Sequence, residues 1–84
     1  MDIEFDPVKD VANIAKHGVS LARAVELEIL AWEWDARFTH ETRFRAWGLL
    51  DGDRYCLAFT VRDGAIRALS LRRAHLKEHR RHAH

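Results

Sequence analysis

The 84 residues suffice for one domain spanning 1–84 and exclude two. The net charge of +1 hides an asymmetry: residues 1–36 carry three basic and eight acidic side chains, a net of −5, whereas residues 37–84 carry eleven and five, a net of +6. A single cysteine, Cys56, excludes an internal disulfide and suits a reducing cytoplasm. The acidic start Met1-Asp2-Ile3-Glu4 is no signal peptide, and no apolar run reaches the roughly 20 residues of a membrane span.

Ile3 to Phe5 reads as a short first strand. Asp6-Pro7 then starts a helix, because Asp caps and Pro suits the first helical position. That helix is expected from about Pro7 to His17, with Val8, Val11, Ala12 and Ala15 on its apolar stripe and Asn13 away from it. Gly18 stops it, and Lys16 and His17 complement its dipole. Ser20 is expected to cap a second helix beginning at Leu21. Its end is undefined, because Leu27 to Trp34 is apolar without a clean period. Trp32 and Trp34 share a face if that segment is extended; they read either as an exposed partner anchor or as buried at a strand edge.

Arg43 to Leu50, Tyr55 to Arg62 and Ala65 to Arg73 read as three strands. Asp51-Gly52 and Asp63-Gly64 join them, and Asp-Gly between alternating segments signals a two-residue hairpin turn. Such turns fix the register, so Leu50 opposite Asp53 sets Phe44 opposite Phe59 and Ala46 opposite Leu57. Arg62 opposite Ala65 sets Val61 opposite Ile66 and Phe59 opposite Ala68. One face then gathers the aromatic and aliphatic residues, to be covered by the two helices. The other gathers Arg43, Arg45, Trp47, Cys56, Arg67, Leu69, Leu71 and Arg73. Forked guanidiniums beside an aromatic ring suit RNA phosphate and base, although a charged outer sheet face is also common in its own right. After Ala74 a short, polar helix is expected. His75, His79 and His82 fall at helical spacing, but Lys77, Arg80 and Arg81 beside them disfavour a metal.

Three stretches carry a family resemblance. Phe5-Asp6-Pro7-Val8-Lys9 followed by Asn13-Ile14-Ala15-Lys16-His17-Gly18-Val19-Ser20 resembles the opening signature of the BrnT toxins of type II toxin–antitoxin systems. Arg43-Phe44 with Gly48 is the second, and Ile66 to Ala74 followed by Glu78 the third. The resemblance implies a RelE-like fold of class α+β: two N-terminal helices on one face of a small antiparallel sheet, a basic cleft on the other, and a short C-terminal helix. It implies a metal-independent endoribonuclease that cleaves RNA, inhibits translation and needs no cofactor. The implied partner is a BrnA-type antitoxin that binds DNA as a dimer, so operator DNA is met only through the antitoxin. No membrane partner is expected. The alternative is an inactive BrnT-like module that acts with the antitoxin in operon repression. The chain departs from the family pattern over residues 27–40, at Leu69 and Leu71, and at His82 in place of a C-terminal Tyr.

Metal-free RNA cleavage needs cations around the phosphate, a base and an acid. Arg67 and Arg43 are the expected phosphate-stabilising groups, with Arg72 close behind. Glu78 reads as a base, an arginine partner or a solvated carboxylate, and Lys16 and His17 as site residues or a dipole-complementing helix end. Arg45, Trp47, Arg73, Lys16, Lys77, Arg80 and Arg81 complete the expected RNA-binding set. Arg43, Arg67, Arg72 and the basic tail are also expected in or beside the antitoxin interface.

Overall fold

A computed structural model describes residues 2–83. Strand β1 (Ile3–Glu4) leads into helix α1 (Pro7–His17), a 3-10 helix (Leu21–Glu26), strands β2 (Glu28–Trp34), β3 (Phe44–Leu50), β4 (Asp53–Arg62) and β5 (Ala65–Arg73), and helix α2 (Leu76–His82). The sheet order is β1-β5-β4-β3-β2. β1 runs parallel to β5, and the other neighbours are antiparallel.

The expected pair of N-terminal helices on an antiparallel sheet is corrected on two counts. Only one N-terminal α-helix forms, and the sheet is mixed and five-stranded. The second helix is a six-residue 3-10 helix. Ser20 Oγ caps it at the Ala22 amide, and the Asp10 carboxylate ties Ser20 Oγ and the Leu21 amide back to α1. At Leu27 the chain turns extended and becomes β2, where Trp32 and Trp34 favour a strand. Gly48 makes that pairing possible: a Cβ there would lie 2.0 Å from the Glu28 carbonyl oxygen.

Both hairpin turns form with positive φ at Asp51, Gly52, Asp63 and Gly64, and the register they impose is the expected one. One exception alters the faces. A bulge in the β4–β5 pairing sets Phe59 opposite Ala68 but Ala58 opposite Ser70, which leaves Leu69 as the extra residue. Every later side chain of β5 changes face. Leu71, expected among the arginines, is fully buried in the main core with Leu21, Leu50 and Leu57. Arg72 takes its place, opposite Cys56, and Arg73 falls opposite Tyr55.

Helix α1 also inverts its expected polarity. Val8 and Val11 are 77% and 70% exposed, and the buried residue is Asn13. The reason is where the helix sits. β1 pairs with β5 only at Ile66 and Arg67, so the outer edge of β5 is bare further along. The Asn13 amide fills that edge: its Oδ1 accepts from the Leu71 N–H at 3.1 Å, and its Nδ2 donates to the Leu71 carbonyl at 2.9 Å and to the Val19 carbonyl at 2.8 Å. A helix standing at a sheet edge covers little of the face, so its apolar stripe stays in water.

Asn13→Ala leaves one buried N–H and two carbonyls without these partners. At about 1–3 kcal/mol for each buried group left unsatisfied, the variant should lose about 3 kcal/mol or more of unfolding free energy in urea denaturation. A loss below about 1 kcal/mol would show that the clamp is not a main support of the fold.

Candidate functional site

The last turn of α1 and the end of β5 meet around an open pocket lined by Lys16, His17, Arg72, Arg73, His75 and Glu78. The Asn13 clamp brings them together, since Asn13 lies one turn before His17 and grips the residue before Arg72. Lys16 has no ion-pair partner among the described residues. Arg72 and Glu78 form a two-pronged pair, with both bonds at 2.9 Å. Arg73 reaches the Asp53 carboxylate at 3.0 Å, and its guanidinium lies 5.7 Å from the Tyr55 ring.

Charge sets the protonation states here. His17 is held below its ordinary value by partial desolvation, and next by the cations Lys16 and Arg72. Its imidazole is therefore neutral at pH 7 and able to accept a proton. Glu78 is pulled down to about 2, first by the hydrogen bonds from the Arg72 guanidinium and then by the charge of that cation, against the opposing effect of partial burial. Of the readings open for Glu78, the geometry selects the arginine partner: a carboxylate that acidic is a poor base near neutrality.

Arg72 also lines a narrower cleft on the same sheet face, beside Arg37, Arg43, Arg45, Phe38 and Ser70. Asp35 organises it. This carboxylate is 3% exposed, takes two bonds from the Arg37 guanidinium at 2.7 and 2.8 Å, and lies 3.7 Å from Arg45 Nε. The Arg37 bonds hold it at about 2. Arg43 bonds Glu41 at 3.2 Å with its guanidinium 4.1 Å above the Phe38 ring, and Arg45 bonds Glu33 at 2.8 Å. Burial pushes the Cys56 thiol up to about 11, so it stays protonated and is no nucleophile at neutral pH.

The residues expected from the sequence thus fall into separate groups. Lys16, His17, Arg72, Arg73 and Glu78 converge on the pocket, and Arg43 and Arg45 join Arg72 in the cleft. Arg67 stands apart from both, 3.5 Å from Glu4 on β1. Trp47 is 1% exposed; His82 stacks on it at 4.0 Å, so α2 covers the ring. Lys77 and Arg81 line a shallow hollow along α2 with His75, and Arg80 is exposed. His75 and Arg37 enter the site without having been singled out for it. The Asp35-x-Arg37 spacing is the available signal for Arg37, but it lies within residues 27–40, where the chain departs from the family pattern.

The open pocket brings together an ammonium without an ion pair among the described residues, a paired guanidinium and an imidazole held below its ordinary value, groups whose chemistry suits an anion and the uptake of a proton. Residues 5–78 match the family model described as the ribonuclease toxin BrnT of type II toxin–antitoxin systems. The chain belongs to that family. Among solved structures it is similar to the ribonuclease toxin BrnT of Brucella abortus, with 29% identity and a TM-score of 0.69 over 89% of this chain and 97% of that one. No curated protein matches it. No helix among the described residues is long and apolar enough to cross a membrane.

The Arg72–Glu78 pair ties α2 to β5. Because the folded-state value of Glu78 lies below its ordinary 4.5, the stabilisation is complete above about pH 4.5 and is lost as pH falls toward about 2. Thermal unfolding across that window should show the wild type losing stability that a Glu78→Gln variant, already weaker at pH 7, does not lose. Parallel curves for the two proteins would show that the pair contributes nothing.

Proposed function

We propose that this chain is the toxin of a type II toxin–antitoxin pair and cleaves RNA without a metal at the pocket between α1 and β5. The observation that carries the reading is the meeting of neutral His17, Arg72 and Lys16, which has no ion pair among the described residues, in one open pocket. His17 takes the proton of a ribose 2′-hydroxyl as that oxygen attacks the adjacent phosphorus. Lys16 and Arg72 meet the charge growing on the phosphate oxygens, and Arg73 and His75 line the path of the leaving strand. These cations supply the charge stabilisation a divalent ion would give, and their presence opposes one. Arg43 and Arg45 extend the phosphate track into the cleft beside Arg72, with Lys77, Arg80 and Arg81 alongside it on α2. Arg67 and Trp47, set apart and covered in this structure, have no part in this reading. As the O2′–P bond forms the P–O5′ bond breaks, water in the open pocket protonates the departing 5′-oxygen, His17 returns its proton to solvent, and the products are a 2′,3′-cyclic phosphate and a free 5′-hydroxyl. The protein works in the cytoplasm, where cleavage of messages halts translation, and a BrnA-type antitoxin neutralises it and carries it to operator DNA.

Purified protein should cleave single-stranded RNA in excess chelator. Removing one cation that stabilises the transition state lowers turnover by about 100- to 1,000-fold, so Arg72→Ala should fall by that much. His17→Gln should fall by about 100-fold or more through loss of the base. Cleavage abolished by chelator, or unchanged in both variants, would contradict the mechanism.

A further inference from the structure

Cleavage by the route above moves two protons. His17 takes the first from the 2′-hydroxyl, and the departing 5′-oxygen draws the second from water. The six residues that line the pocket narrow the source from which that water is itself resupplied. The guanidiniums of Arg72 and Arg73 do not give up protons in proteins. Glu78, held at about 2, is ionised near neutrality and has none to give. Lys16 adjoins His17 in the chain and serves there as a cation for the phosphate. His75 remains, and imidazole is the side chain that gains and loses a proton between about pH 5 and 8.

The backbone around His75 is fixed while its ring is left free. Ala74, just before it, is buried and donates its N–H to the Arg54 carbonyl at 3.0 Å. The His75 carbonyl accepts the His79 N–H at 2.9 Å, and Glu78, three residues on, holds Arg72 by two bonds. His75 itself is exposed, and its ring has no hydrogen bond or ion pair among the described residues. It occupies the position before the first turn of α2, with extended backbone at φ −65° and ψ 148°. Ser, Thr, Asp and Asn are favoured there because their oxygens bond the first helix amides, and His75 makes no such bond. Its side chain thus does nothing for the helix, yet it stands at the pocket that holds His17. The two imidazoles come from different elements, His17 from the end of α1 and His75 from the junction of β5 and α2. The pocket they line, about 490 Å³, has room for a phosphodiester and several waters.

We propose that His75 is the proton donor for the departing strand: its imidazolium passes a proton, through one water of the pocket, to the 5′-oxygen. The inference rests on the cleavage reading above and deepens it. The O2′–P bond forms as the O2′–H proton goes to His17. The P–O5′ bond breaks and its electron pair stays on O5′. O5′ takes a proton from the water as the water takes one from His75. His17 then releases a proton to solvent and His75 regains one, so a turnover consumes none.

The test compares the wild type with His75→Thr on two single-stranded RNAs in excess chelator. One is ordinary RNA. The other carries sulfur in place of the 5′-oxygen at the linkage the wild type cleaves. A thiolate, far less basic than an alkoxide, departs without a proton, so this substrate needs no donor. Thr is favoured before a helix, and Glu78 at the third helical position completes its capping pattern, so the variant should melt no lower than the wild type. On ordinary RNA its kcat should fall about 100-fold with KM within about threefold, as expected for loss of a general acid. On the sulfur-containing RNA the two proteins should agree within about threefold. A variant as fast as the wild type on ordinary RNA overturns the proposal and leaves the cleavage reading standing. An equal loss on both substrates would mean that His75 holds the strand rather than protonating it, and also overturns the proposal. A wild type that cleaves neither substrate overturns the cleavage reading as well.

Discussion

Beyond Arg67 the outer edge of β5 has no strand beside it, and the side chain of Asn13 stands there instead. Its amide bonds both the N–H and the carbonyl of Leu71, as a neighbouring strand would. Much follows from that substitution. It holds α1 at the edge of the sheet rather than across its face, so Val8 and Val11 point into water while the 3-10 helix covers the core. It sets Lys16 and His17 one turn from the grip and therefore beside Arg72 and Arg73. A buried amide satisfied by three backbone groups is also directional, which an apolar contact is not, so the clamp fixes the helix end in rotation as well as in place.

The bulge at Leu69 is the second constraint. Without it Leu71 would lie among the arginines and Arg72 on the core face. With it, Arg72 becomes the shared wall of the pocket and the cleft. Most of the guanidiniums on this face already hold a carboxylate: Arg72 has Glu78, Arg45 has Glu33, Arg43 has Glu41 and Arg37 has Asp35. A phosphate backbone must therefore exchange partners rather than fill vacancies. Partly exposed pairs of this kind contribute only about 0–1 kcal/mol each, so exchange is easy at Glu41 or Glu33. It is harder at Asp35, which is buried and holds Arg37 by two bonds.

How much of this was legible in the sequence depends on how local the signal was. Asp6 and Gly18 marked the bounds of α1, and the two Asp-Gly turns fixed the pairing of β3 with β4 and the start of β4 with β5. Those features are decided by a few adjacent residues. Lys16, His17, Arg72, Arg73 and Glu78 are candidates on the chemistry of metal-free cleavage, and the fold gathers them around one pocket. What could not be read is set by tertiary contact. Asn13 looked like the solvent side of α1, because periodicity finds the apolar stripe but not which side the rest of the chain covers. Residues 28–34 pair as a strand because Gly48, far along the chain, leaves room for the Glu28 backbone. The bulge has no residue signature, since Leu69 suits either face of a strand. Arg67 was favoured over Arg72 on a register that ignored it.

The end of α1 and the end of β5 line one pocket, and Arg72 is one of the cations that lower the His17 value. Nuclear magnetic resonance titration of the His17 ring in the wild type and in Arg72→Gln tests it directly. His17 should titrate below 6.5 in the wild type and move upward in the variant, because removing a nearby cation favours the charged imidazole. Titration at 6.5 in both proteins would mean that His17 is a solvated helix end and that the two elements do not make a common site.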